Sequence, residues 1–426
     1  MFVPALAHIL LPLIVAVSIL LMLVRPRGIA EVYWIGFGTI LLIAFRLIPL
    51  PLAGRAVIKG ADIYLFLIGM MLLSELAREH GVFDWLSALA VRSAHGSCAR
   101  LFTLVYAIGT LVTIFMSNDA TAVVLTPAIL TVVRKAKVEP LPYLFTCALI
   151  ANAASFVLPI SNPANLVVFR TGMPPLGQWL LAFGLPSILS IATTYAVMRL
   201  IFREQLRATI SQEVPDHALD INGKLVLVGL VLMIAVLLTT SAFNKDLGLP
   251  TCLAALAITA AVSIKSRTNP IPLAKEISWG TLVLVAGLFI MVDAVESVGA
   301  LNLTQRWLYY AQSLAPAAGT LISGFTVGIA NNILNNLPLG LLAGATLNAA
   351  HAHGLLASAV LIGIDLGPNL SITGSLATIL WLLALRKEKL DVSFTRFLKV
   401  GAIAMPAALL VSLGGVILMN ALFGKS

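Results

Sequence analysis

Two carboxylates stand among amides and hydroxyls in an otherwise apolar sequence. Asp119 ends the tripeptide Ser117-Asn118-Asp119, and Asp365 precedes Gly367-Pro368-Asn369. Near them in sequence pattern are Ser161, Asn162 and Asn165, the pair Asn335 and Asn336, and then Asn369, Thr373 and Ser375. Asn, Ser and Thr side chains both donate and accept hydrogen bonds. Pro163, Gly367, Pro368 and Gly374 interrupt helices and free backbone N–H and C=O groups at the same places. Such a pocket suits a small hydroxyl-rich or oxyanion-like solute. One Asn in a membrane helix commonly only glues helices together. Six amides at matched positions in two halves argue instead for a site. Intramembrane carboxylates are costly and usually functional, so Asp119 and Asp365 are read as proton-coupling or solute-binding groups. The alternative is a carboxylate that caps a half-helix. Fixed carboxylates repel a di- or tricarboxylate strongly in low dielectric, which favours a neutral solute or a cation.

Other reactive residues are read more plainly. Glu75 and Arg78 form an i,i+3 pair. Asp293 and Glu296 are expected to be solvated or interfacial at the outer end of their span. His351 and His353 have no third ligand nearby and are expected at the surface, with no metal site. Cys98, Cys147 and Cys252 are scattered and form no CxxC, so neither a zinc site nor a disulfide framework is expected. The chain has no HExxH, GxSxG or GxGD motif. It is read as a non-enzyme without a cofactor, powered by a proton gradient.

The elements that hold these residues follow from composition. Of 426 residues, 60% are apolar and only 11% charged, against about 25% charged in soluble domains. This excludes a disordered chain, a nucleic-acid-binding domain and an ordinary cytosolic enzyme. The apolar runs are continuous, which argues for helices and against a barrel. The net charge of +9 is read as loop charge facing the cytoplasm, with no nucleic-acid partner. The pattern predicts an all-α polytopic membrane protein with ten spans, at about 5–24, 31–50, 61–78, 143–166, 178–202, 223–243, 248–264, 277–297, 355–385 and 397–422. Two shorter pairs of arms, 101–116 with 121–134 and 317–332 with 337–350, are read as re-entrant hairpins. Arms of about 14 to 16 residues reach only ~21–24 Å, short of a core about 30 Å thick. Each hairpin precedes a broken span. The distance from tip to break is 44 residues in one half (118 to 162) and 38 in the other (336 to 374).

The polar stretch 203–222 is read as a cytoplasmic linker between a first repeat, 1–202, and a second, 223–426. Each repeat has five spans and a hairpin, at about 101–134 and 317–350. An odd number of spans makes the second repeat inverted, an arrangement that places substrate at the repeat interface. With the N-terminus outside, 20 of the 27 Lys and Arg residues fall on the inner side, as the positive-inside rule expects. Both termini are then outside. Residues 5–24 are read as a retained span rather than a signal peptide, because Arg25 and Arg27 follow the apolar run instead of preceding it.

The segments NDATAVVLTP (118–127), ISNPANLV (160–167), NNLP (335–338) and DLGPNLSITGSLATILW (365–381) resemble the ArsB family of arsenite and antimonite exporters, within the ion transporter superfamily. The likeness runs through most of the chain, and the last segment is the most specific. It implies efflux of trivalent arsenic and antimony across the inner (plasma) membrane, by the proton motive force alone or with a soluble cytoplasmic ATPase partner. It implies two hairpins facing two broken spans, with roles for Asn118, Asp119, Asn162, Asn165, Asn336, Asp365, Asn369, Thr373 and Ser375. Asn152 stands where the family can have Asp. Soft trivalent arsenic would want clustered thiolates, which three scattered cysteines do not offer. The expected solutes are therefore neutral As(OH)3 and Sb(OH)3, exchanged for protons by alternating access. A sodium/proton antiporter or a silicic acid exporter of the same superfamily is the neighbouring reading. An intramembrane enzyme or a channel is the distant one.

Overall fold

The computed structural model describes residues 4–170, 172–210, 218–299 and 301–423. Among these, the regular elements are helices, with one isolated antiparallel bridge between Ser97 and Thr209. Seven helices are long and apolar enough to cross a membrane, or eight if the pair Leu50–Lys59 and Ala61–Glu79, bent by 46° at Gly60, is one span. One of the ten expected spans is markedly shorter than the sequence suggests. The helix expected over 31–50 ends at Ala44; Arg46 then takes a positive φ of 54°, and Pro49 leads into the separate helix Leu50–Lys59. The two broken spans are broken, as expected. Leu141–Ala153 is separated from Pro163–Val168, and Leu355–Leu366 from Leu376–Lys387.

Both hairpins form, and their first arms are longer than expected, each long and apolar enough to cross a membrane. Cys98–Phe115 and Pro316–Leu334 have 18 and 19 residues, roughly 27–29 Å of helix. The first starts three residues earlier than expected, at Cys98, because Ser97 accepts the Arg100 N–H as an N-cap. The second starts one residue earlier, with Pro316 at its first position, and runs two residues further, to Leu334. The Tyr143 hydroxyl donates to Cys98 O at 3.2 Å. The start of the first arm therefore lies beside the helix that follows the second arm, so both ends of the hairpin are at one level. In the second hairpin, a Cβ at Gly319 would lie 3.8 Å from Leu356, with the same consequence. Four short helices were not legible: Leu50–Lys59, Val82–Ser93, Ile271–Glu276 and Leu301–Ser313. They carry charges such as Arg55, Asp84, Lys275 and Arg306, which break the apolar signal.

The helix order of residues 4–201 recurs in residues 221–423. Packing between the halves is reciprocal. Ala61–Glu79 lies against Gly248–Ser266, and Glu31–Ala44 against Trp279–Ser297. Glycines allow both approaches. A Cβ at Gly69 would meet the Thr251 backbone at 2.9 Å, and one at Gly287 would meet Ile35 at 2.6 Å. Asp62 ties the first pair by accepting the Gly248 N–H at 2.6 Å. The long helices Leu176–Ile201 and Phe394–Phe423 pack extensively on each other.

The two broken spans are knitted to each other and to the long helices that follow them. Phe145, Phe202, Trp381 and Phe397 cluster with ring centroids 5.7–5.9 Å apart. The Trp381 indole donates to Leu144 O at 3.1 Å, joining the first half of one broken span to the second half of the other. Such clustered rings contribute beyond their burial.

Candidate transport site

A break in a buried helix leaves carbonyls without partners, and each one left unpaired costs about 1–3 kcal/mol. Much of the polar sequence at the breaks answers that need. At the first break, Asn165 donates to Ser155 O and Leu158 O at 2.8 and 3.3 Å. The Trp179 indole takes Phe156 O, and Ser190 takes Ala153 O. Ser161 bonds to Ile114 O at 3.0 Å, tying the break to the hairpin arm. Asn162 caps Pro163–Val168 by accepting the Ala164 N–H at 3.0 Å.

At the second break, Asn332 donates to Gly367 O at 3.0 Å, and Asn331 donates to Ile364 O. Ser371 and Thr373 bond back to Asn332, and Asn335 donates to Thr373 O at 3.1 Å. Asn335 holds φ 69° and ψ 153° at the hairpin tip, a conformation few residues but glycine adopt and one that surrounding bonds must hold. Ser375 caps Leu376–Lys387 by accepting the Thr378 N–H at 3.1 Å.

The two breaks are joined through amides and one acid. Asn162 donates to Asp365 Oδ1 at 2.7 Å. Asn152 donates to Asn369 Oδ1 at 2.9 Å, and Asn369 donates to Leu149 O at 3.0 Å. Asp365 is fully buried, and its Oδ2 has no hydrogen-bond partner. The side-chain oxygens of Asn118 and Asn336, at the two tips, are also buried and unpartnered. The sequence-predicted residues therefore separate into groups. Ser161, Asn165, Asn335, Asn369, Thr373 and Ser375 bond within the breaks and their supports. Asn162 and Asp365 form the link between halves. Asn118 and Asn336 present free carbonyl oxygens. Asp119 is partly exposed and faces a cavity. Sequence reasoning named neither Asn331, Asn332 nor Ser371, and treated Asn152 only as a departure from a pattern.

The cavity holds about 210 Å³, room for roughly seven waters at about 30 Å³ each. Ser117 and Asp119 from the first tip meet Pro163 and Leu376 there, the first residues of the half-helices after the two breaks. Glu75 and Glu276 line its mouth. The Glu75 end of its helix is the end where the linker runs, because a Cβ at Gly223, just past the linker, would sit 2.9 Å from His80 O. Glu75 also accepts from Arg78 at 2.6 Å, the expected pair.

One expectation about charge is corrected. Asp293 is not solvated: its side chain is 2% exposed, and Lys59 reaches it at 2.6 Å with Arg170 at 3.9 Å. A carboxylate placed this deep needs a cation beside it, and both cations lie far away in sequence. Glu296 is exposed, as are His351 and His353. The three cysteines are buried and free, and no group of three metal-ligating side chains occurs among the described residues.

The solved structure of the YdaH transporter of Alcanivorax borkumensis, described as having an unusual topology, shares this fold with a TM-score of 0.58, 16% identity and 87% of each chain covered. In sequence the chain is 26% identical to the arsenical pump membrane protein of Yersinia enterocolitica over 95% of this chain and 97% of that one. It is 25% identical to the protein of the same name in Escherichia coli K12, over the same shares. It is 22% identical to a putative arsenical pump membrane protein of Bacillus subtilis, over 91% and 94%. The family model described as a citrate transporter, CitMHS, matches residues 2–364. With that match over most of its length and a bundle of apolar helices broken twice at polar motifs, the chain belongs to the CitMHS family and is a multi-pass membrane transporter.

Proposed function

We propose that this protein exports trivalent arsenic and antimony from the cytoplasm, as neutral As(OH)3 and Sb(OH)3, in exchange for protons. The observation that carries this reading is the lining of the cavity at the first hairpin tip. Asp119, Glu75 and Glu276 face it, and among the described residues no Lys or Arg lines it, Arg78 meeting Glu75 from beside the cavity at 2.6 Å. The family's description names citrate, but a polyanion there meets like charge. Each like pair at about 5 Å costs roughly 3 kcal/mol at an effective dielectric near 20. A neutral trihydroxide avoids that repulsion and can bond to Ser117, Asp119 and backbone groups at the tip. The relatives named for arsenical pumping support the choice of solute.

The mechanism is alternating access with inverted halves. Arg134 at the end of the first hairpin pairs with Glu388 at 3.0 Å, so that hairpin's base lies at the end of the molecule where Leu376–Lys387 finishes. The second hairpin's base lies beside Leu356, where that broken span begins. Entry from opposite ends supports inversion. The linker end also carries Arg92, Arg100, Arg134 and Arg386, a bias that supports a cytoplasmic linker end with both termini outside. Protons arriving from outside neutralise Asp119 or Asp365 and weaken solute binding there. Loss of the protons inside resets the site.

The test is arsenite flux in proteoliposomes under an imposed pH gradient, with sodium present or absent. Uphill arsenite movement that follows the pH gradient and ignores sodium is expected. Sodium-coupled movement of another solute, without arsenite flux, would replace the substrate and keep the site.

A further inference from the structure

We infer that solute leaves through a second cavity at the opposite end of the molecule, and that Arg170 docked on Asp293 holds this exit shut in the present conformation. The inference rests on the transport reading but not on the identity of the solute. The second cavity holds about 530 Å³, and Lys59, Asp62, Arg170, Asn244, Lys245 and Asp246 reach it. Its mixed cations, carboxylates and amide offer a neutral hydroxide both donors and acceptors.

Two elements run from one cavity to the other. Ala61–Glu79 gives Phe66, Leu67 and Met70 to the inner cavity, and Asp62 and Ile63 to the outer one. The half-helix after the first break gives Pro163 to the inner cavity and Leu166 to the outer one. Three helical residues span about 4.5 Å. The seam between these two elements therefore nearly connects the cavities. What closes it is buried and apolar: Ile63, Phe66, Leu67 and Leu166.

The charged contacts at the outer end differ in kind. Lys59 and Asp293 belong to elements packed on one another, Leu50–Lys59 and Trp279–Ser297, and their contact is tight, at 2.6 Å. Arg170 follows the half-helix Pro163–Val168, which packs chiefly on the second hairpin arm Asn336–Ala349. Arg170 reaches Asp293 only at 3.9 Å and stands 5.5 Å from the centre of the Phe289 ring. It is thus held by charge and by the ring face, without a hydrogen bond to Asp293. A contact of that kind can part while Lys59 keeps Asp293 paired, so undocking does not strand a buried charge. Motion of the hairpins and broken spans against the packed helices draws Arg170 away and opens the seam outward.

The experiment reads accessibility with no substrate present. A cysteine is placed at Leu166 or Ile63 on the outer cavity, or at Ser74 on the inner one, in a protein whose own thiols are buried. Each site is labelled with a membrane-impermeant maleimide from its own side. Arg170→Gln keeps the Lys59–Asp293 pair and is the primary variant; Asp293→Asn is the second, covering misfolding of either. Losing the contact is expected to shift the equilibrium about fivefold. From a minor open state near 10%, labelling at Leu166→Cys then rises roughly threefold, and labelling at Ser74→Cys falls by about a third. Unchanged rates in folded protein overturn the latch. A rise outside without a fall inside also overturns it, because that is local fraying. Failure of arsenite flux in the earlier test leaves this result untouched.

Discussion

At the first hairpin tip, Ser117 and Asp119 face a cavity of about 210 Å³. At the second, Asn335 and Leu337 line a gap of about 10 Å³. Counted from Asn118 and Asn336, Asp119 and Leu337 hold the same place. Leu337 meets Leu284, Leu288 and Leu376 in its gap, the Glu31 carboxylate at its edge is paired with Arg25 at 3.2 Å, and apolar side chains fill the rest of the space. A carboxylate at that place cannot be packed so cheaply and keeps water beside it. At the broken spans the distribution reverses. Asn152 stands one residue before the end of Leu141–Ala153, and Asp365 one residue before the end of Leu355–Leu366. Each reaches into the other half, Asn152 to Asn369 and Asp365 to Asn162. A duplicated framework thus carries one wet acid and one dry acid, each on a different half. The likeness of the halves belongs to the helices, and the chemistry lies in where they differ.

The largest effects come from erasing that difference. Asp119→Leu makes the tips alike, and pH-gradient-driven arsenite efflux is expected to fall at least about tenfold in folded protein. Asp119→Asn tests the proton more narrowly, with the same loss expected. Asp365→Asn is expected to abolish coupled efflux as well. If both Asn variants kept coupled efflux, the proton-exchange mechanism would fail. Adding Asn152→Asp to Asp365→Asn moves the dry acid to the matched place in the first half. No recovery is expected, because Asn152 reaches Asn369 and Thr378 rather than Asn162. Recovery would mean the halves are chemically interchangeable and would break the comparison.

The converse change is a stability experiment. Leu337→Asp puts an unpaired carboxylate into a gap with no room for water. It should cost roughly 3 kcal/mol or more, read as a lower melting temperature in detergent. A stable, active Leu337→Asp protein would show that the second tip also opens to water.

This asymmetry marks the limit of what was legible in sequence. The hairpins and breaks stood out because Asn, Ser, Pro and Gly interrupt long apolar runs, where freed backbone must be matched inside the protein. The short helix Val82–Ser93 did not, since Asp84 and Arg92 make it resemble a loop. Asp293 was misjudged because its partners, Lys59 and Arg170, are brought to it only by the fold. Asn331, Asn332 and Ser371 serve the second break from positions whose identity alone carries no signal. Which tip faces a cavity depends on Leu284 and Leu288, and neither lies in a motif.

A smaller effect separates the two caps. Asn162→Ala removes the cap of Pro163–Val168, worth about 1 kcal/mol, and also the one side-chain hydrogen bond Asp365 receives among the described residues. An unsatisfied buried acceptor adds roughly 1–3 kcal/mol. Ser375→Ala removes the counterpart cap at Leu376–Lys387 and should cost about 1 kcal/mol, since the Thr378 hydroxyl it also bonds keeps a contact with Asn152. Thermal unfolding of the two variants is expected to rank Asn162→Ala as the more damaging. Equal shifts would mean that the bond to Asp365 contributes little.

The smallest expected effect concerns sulfur, and it bears on what the wet tip holds. If arsenic crossed as a bare soft ion, thiolates would have to gather around it. Cys98, Cys147 and Cys252 are buried, free and on three different helices, and none of them lines the cavity at Asp119. The sulfurs that do line it are the thioethers of Met70 and Met71, which cannot ionise and so cannot replace the hydroxyls of As(OH)3 by acid–base exchange. Replacing all three cysteines should therefore leave arsenite efflux within about twofold of the parent, and Met70→Leu with Met71→Leu should change it little more, since Leu and Met have similar volumes. A large loss in the cysteine-free protein would end the hydroxide reading. A large loss confined to the methionine variants would instead make the first tip a soft site, a sharper contrast with the second, where Met22 is the only sulfur lining the gap among the described residues.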